Sequence, residues 1–225
     1  VVPILLSAFG ILLEVLFVSR SCRTRDWKCL LLKAAASAVF VVLAWVCICY
    51  RAWNETTRLI FAGLCCGFAG DVLMGARFLS EKFKTGFFML GLFCFMAGHA
   101  LYACNALLIA GKSWKYALVC ALLLLAAAGY LAHRMEVRPG KLTVPGVVYF
   151  AVLFFAVFAA LWAGVMVKSA ALLLFAAGGF SFALSDFLLL LENFGPEKNL
   201  VRAAASHLLY YFAQLLIALS ILFFF

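Results

Sequence analysis

Eight apolar stretches dominate this chain, at about 2–19, 30–50, 58–76, 85–110, 114–132, 143–167, 170–191 and 200–225. Each is close to the roughly 20 residues that cross a bilayer as a helix. The breaks between them carry charge or turn residues: Arg20–Lys28, Arg51–Arg58, Arg77–Lys84, Gly111–Lys115, His133–Lys141, Lys168 and Glu192–Arg202. Such short breaks leave no room for a second folding unit. The expected fold is therefore all-α, a polytopic membrane protein with one transmembrane domain over residues 1–225 and eight transmembrane helices. Composition agrees: 68% hydrophobic residues against 12% charged is more apolar surface than a soluble domain of this size can bury. Val2 to Val18 has the look of a signal peptide, but Glu14 interrupts it. The basic residues Arg20, Arg23, Arg25 and Lys28 follow rather than precede it, so it is expected to be a first span.

The net charge of +9 is spread along the loops and forms no nucleic-acid patch. In a membrane protein it sets orientation and attracts anionic headgroups. Thirteen of the 18 Lys and Arg belong to the breaks after spans one, three, five and seven, with Lys33 counted in the first. Those breaks are expected to be cytoplasmic, with both termini on the other side. The nine cysteines show no metal-ligand spacing. Neither a metal nor a cofactor is expected.

The stretch Gly63 to Gly75, GLCCGFAGDVLMG, is the most informative. Gly63, Gly67, Asp71 and Gly75 recur every four residues and share one helical face. Such a stripe admits a closely approaching helix and places a carboxyl group in the seam. A carboxylate at membrane depth is costly unless paired, hydrated or protonated, and so points to function. A second acid, Asp186, lies in span seven. The two halves echo one another: Gly70-Asp71 with Ser185-Asp186, and Gly98-His99-x-x-Tyr102 with Ser206-His207-x-x-Tyr210. The echo suggests a parallel repeat of residues 1–110 and 114–225, which would gather both acids around one cavity.

Asp71 and Asp186 are the leading candidates for acid–base chemistry, against the plainer alternative that each only bonds a polar neighbour. His99, with Tyr102 one turn on and Asn105 beyond, is the next candidate, as a water-positioning or relay group. Tyr210, Tyr211 and Gln214 make a polar patch in the last span, and Tyr149 follows Pro145 in span six. Lys33 could snorkel, reach a lipid phosphate or pair with Glu14. Ser185 and Ser181 flank Asp186, but no nucleophile elbow surrounds them.

The motifs GDVLMG, GLFCFMAGHALY, FALSDFLLLLENF and YYFAQLL, together with Lys33 and the Pro145–Tyr149 stretch, resemble the lysoplasmalogenase (YhhN) family in order and spacing. The family pattern falls on Asp71, His99, Tyr102, Ser185, Asp186, Asn193, Phe194, Tyr210, Tyr211 and Gln214. The chain departs from it at Ala34, where proline is usual, and at Leu190, where alanine is usual. His207 is not part of the pattern. The resemblance implies an integral protein of a bacterial cytoplasmic membrane or the endoplasmic reticulum membrane. It would hydrolyse the vinyl ether of a lysophospholipid, a lysoplasmalogen, to a fatty aldehyde and a glycerophospho-ethanolamine or -choline. That chemistry suits two carboxyls: one protonates the vinyl carbon and the other stabilises the cation or activates water. Basic residues at the rim, Arg77, Lys82 and Lys84 among them, would hold the phosphate. A proton-coupled carrier of a lipid or small solute is the main rival, and a lipid-binding scaffold the third reading.

Overall fold

The structure, a computed structural model, describes every residue except 22, 23, 25 and 225. Arg23 and Arg25 of the first expected loop lie outside the described residues. The described residues form eight long helices: α1 Val2–Ser21, α2 Trp27–Tyr50, α3 Glu55–Ala76, α4 Lys84–Ile109, α5 Trp114–Arg134, α6 Thr143–Val167, α7 Ala170–Phe194 and α8 Leu200–Ser220. All eight are long and apolar enough to cross a membrane.

The largest shifts from the expected bounds have local causes. α2 starts before residue 30 because Asp26 caps it, its carboxylate accepting from the Cys29 N–H at 3.0 Å. α3 starts before residue 58 because Asn54 and Thr57 form a reciprocal capping box. Ser169 and Asn199 cap α7 and α8 more simply, their side-chain oxygens accepting from the Leu172 N–H and from the Val201 and Arg202 N–H groups. α8 ends at Ser220 and tightens into a 3₁₀ turn, Ile221–Phe223.

In the first half, α1 packs on α2, α2 on α3, and α3 on α4. The same relations recur for α5, α6, α7 and α8, and the halves meet through α2–α8 and α4–α6. The parallel 4+4 repeat is a proposal that these neighbour relations support. Glycine makes the closest of these contacts: a Cβ on Gly98 would sit 3.0 Å from the Gly63 carbonyl oxygen, and one on Gly178 would sit 3.0 Å from that of Ala213. The glycine stripe of α3 does not receive a single helix, as its periodicity suggested. It admits side chains from three helices, with Tyr102 of α4 over Gly63, Gln214 of α8 over Gly67 and Leu30 of α2 over Gly75.

The main core fills one half of the bundle, around Phe40, Leu43, Ile60, Leu64, Leu172 and Ile217. This half carries the α2–α3, α4–α5 and α6–α7 connections. Outward-facing Ile4, Leu12, Trp45, Leu123 and Phe212 are exposed, as expected where the surrounding solvent is hydrocarbon. In the opposite half the helices stand apart around a cavity of about 600 Å³.

Candidate active site

Asp71 sits about a turn and a half from the end of α3 and is 1% exposed. Its Oδ1 lies 2.9 Å from the Lys33 ammonium. Its Oδ2 accepts from Ser37 Oγ at 2.5 Å and from the Tyr210 hydroxyl at 2.6 Å. The Gln214 amide donates in turn to the Tyr210 oxygen at 2.9 Å. The Lys33 ammonium lies 5.3 Å from the ring centres of both Phe17 and Tyr210, so its remaining face meets π-electron density. Lys33 and Ser37 of α2 and Tyr210 and Gln214 of α8 thus surround Asp71 with a cation and a chain of hydrogen-bond donors.

Lys33 thus pairs with Asp71, a partner outside the three readings the sequence offered for it: snorkelling, a lipid phosphate or Glu14. Glu14 is buried on α1, and its Oε1 has no hydrogen bond. Ser37 drew no attention in the sequence. The signal was present: it follows Lys33 by four residues and therefore shares its helical face.

Asp186 lines the same cavity, about two turns from the end of α7. It is only partly buried, and its Oδ2 accepts a hydrogen bond from the Tyr149 hydroxyl of α6. The two acids therefore share a cavity but not a chemical setting. Asp71 has an ammonium counter-ion and two hydroxyl donors. Asp186 has a single phenol and faces open space.

The other candidates divide sharply. Lys33, Tyr149, Ser185 and Tyr210 line the cavity with the two acids. Ser185 commits its hydroxyl proton to the Ser206 carbonyl at 2.8 Å, tying α7 to α8. His99 and Tyr102 do not line it; with Gln214 they border a separate void of about 10 Å³. His99 is buried edge-on against Phe182, with ring centres 4.6 Å apart. Its Nε2 is 3.4 Å from the Tyr149 oxygen, so it meets Asp186 only through that phenol. The ring of Tyr102 packs between Gly63 and Phe175. Asn105 is fully buried deeper on α4, and Tyr211 turns towards Gly10 and Phe40. Neither Asn105 nor Tyr211 lines the cavity.

Nearer the rim, Arg77 lines the cavity, donates to Asn193 Oδ1 at 3.1 Å and lies over the rings of Phe78 and Phe88. Lys82 and Lys84 do not line it, and Lys84 pairs with Glu81. His207, outside the family pattern, lines it with its ring edge-on to Phe17.

A family model described as the YhhN family matches residues 29–221. The chain belongs to the YhhN family. The match takes in every cavity-lining helix except α1, which precedes it. No match to a curated protein or to a solved structure was found.

Proposed function

We propose that this YhhN-family protein is a lysoplasmalogenase-type hydrolase, cleaving the vinyl ether of a single-chain phospholipid to a fatty aldehyde and a glycerophospho-alcohol. The observation that carries this reading is the unlike pair of carboxyls lining one cavity. A cavity of about 600 Å³ is also of a size that takes a small amphiphile.

The partners assign the roles. Asp186, with no cation hydrogen-bonded to it among the described residues, carries the proton and delivers it to the vinyl carbon beta to the ether oxygen, the one that bears the alkyl chain. The electron pair of the double bond forms the new C–H bond, and positive charge develops on the ether carbon and oxygen. Asp71, held as a carboxylate by Lys33, Ser37 and Tyr210, stabilises that oxocarbenium ion. Water then adds to the cationic carbon and passes a proton to Asp186, which is restored as the acid. The hemiacetal collapses, with its hydroxyl proton ending on the glycerol oxygen. One acid thus acts in both directions, as in retaining glycoside hydrolysis. Tyr149 steadies Asp186 as a carboxylate between the two steps, and His99 orients Tyr149. Arg77, already on the cavity wall, is placed to meet the phosphate. The Lys and Arg asymmetry puts this end of the bundle on the cytoplasmic side.

The test is aldehyde release from a vinyl-ether lysophospholipid by the purified protein in detergent, run in D₂O. The aldehyde should carry one deuterium on the carbon next to the carbonyl. A carrier, which needs two compartments, would release none, and aldehyde without that deuterium would remove the carbon-protonation step.

A further inference from the structure

The helices lining the cavity pack against their neighbours in sequence, except α4 and α5. These helices are joined at the far end by the 3₁₀ turn Gly111–Ser113, which touches both. Beyond that turn α5 packs along α6 and makes no comparable packing with α4. Ala117 and Ala121, near that turn, are its buried residues. Towards the acids the two helices stand apart, and each presents a stripe to the cavity. On α5 the stripe is Leu122, Leu125, Ala126, Gly129, Ala132 and His133, at steps of three and four. On α4 it is Phe88, Leu92 and Phe95, with the same step.

Two glycines stand along this gap. A Cβ built on Gly129 of α5, or on Gly146 of α6, would meet no atom within 4 Å. Both line the cavity, and the space a side chain would enter at either position is open. Gly146 lies one turn before Tyr149, the phenol bonded to Asp186. A hydrocarbon chain passing Leu92 and Leu125, then Gly129 and Gly146, would end at the acids. Its apolar walls suit alkyl groups.

The geometry points to a side entrance between α4 and α5, through which the hydrocarbon chain of a single-chain lipid passes from the bilayer to Asp186, with Gly129 and Gly146 setting its bore. This rests on the lipid-hydrolase reading of the cavity and adds the route and the residues that gauge chain size. A lipid substrate entering sideways does not leave hydrocarbon, which avoids the cost of carrying its chain through water.

The experiment is photolabelling with a lysophosphatidylcholine bearing a diazirine on its chain, using the purified full chain and mapping adducts by peptide sequencing. Adducts are expected within 88–95 and 122–133. Gly129→Trp and Gly146→Phe should each reduce them at least fivefold. Gly86→Trp, where there is equal free space but no cavity, should leave them unchanged. Adducts elsewhere, or adducts undiminished in both bore variants, would overturn the entrance. Labelling is read without turnover, so a protein that labels as expected but releases no aldehyde loses the chemistry and keeps the entrance. Turnover with labelling elsewhere does the reverse.

Discussion

Replacing Asp71 with asparagine separates what the side chain does for the fold from what it does for chemistry. The substitution keeps the volume but removes the charge that Lys33 faces at 2.9 Å, in a site where the two side chains are 12% and 2% exposed. It also turns one acceptor oxygen into a donor among Lys33, Ser37 and Tyr210, which already supply donors. Leaving one half of a buried ion pair costs about 3–5 kcal/mol. At ~2–4 °C per kcal/mol for a chain of this size, the thermal midpoint in detergent should fall by roughly 6–20 °C. Adding Lys33→Met removes the stranded ammonium, and an apolar replacement of a buried pair is often neutral or better. Asp71→Asn/Lys33→Met should therefore regain most of the lost midpoint. It should not regain turnover, because the carboxylate that faces the oxocarbenium is still missing. The loss should be about 10²–10³-fold in kcat, as for removal of one preorganised electrostatic group. A double variant as unstable as the single would refute the ion-pair account. A double variant with turnover within tenfold of the parent would show that Asp71 only packs helices.

Tyr149→Phe removes the donor to Asp186 while keeping the ring. A hydrogen bond to a charged group is worth about 1.5–3 kcal/mol, so kcat should fall roughly 10–100-fold, and His99→Phe, one bond further out, should cost less. Gly63→Ala places a Cβ 2.1 Å from the Tyr102 ring, which cannot swing away from Phe175. A thermal scan should show a loss of about 1–3 kcal/mol. In the α1–α2 loop, Arg20 foremost and then the Cys29 N–H hold the Asp26 carboxyl down to about 2, from an ordinary 3.8. Its folded value is depressed, so its stabilising contribution is present above about pH 4 and is lost as pH falls towards 2. The midpoint gap between parent and Asp26→Asn should be open at pH 6 and close near pH 2.

The eight spans were legible because helix length and charge placement are local properties. The glycine stripe and Asp71 were legible for the same reason: a period of four fixes a face. What periodicity leaves open is which neighbour meets that face. Tyr102 and Tyr210 stand in matching His-x-x-Tyr motifs, yet Tyr210 bonds Asp71 while Tyr102 is packed against glycine and phenylalanine outside the cavity. The phenol that reaches Asp186 comes instead from Tyr149 on α6. For Lys33 the sequence offered Glu14 as the one acidic partner, and the packing of α2 on α3 sets it against Asp71 instead. Ser37 was hidden because a serine in an apolar helix usually satisfies itself on its own backbone.

The claim at the centre is that Asp186 gives a proton to the substrate carbon and later takes one from water. The most direct measurement is kcat for aldehyde release by purified Asp186→Asn, beside a thermal scan showing the variant folded. Loss of the acid should lower kcat by about 10²–10⁴-fold with the midpoint little changed, since among the described residues no salt bridge forms at Asp186. A folded Asp186→Asn that turns over within a few-fold of the parent would contradict the account.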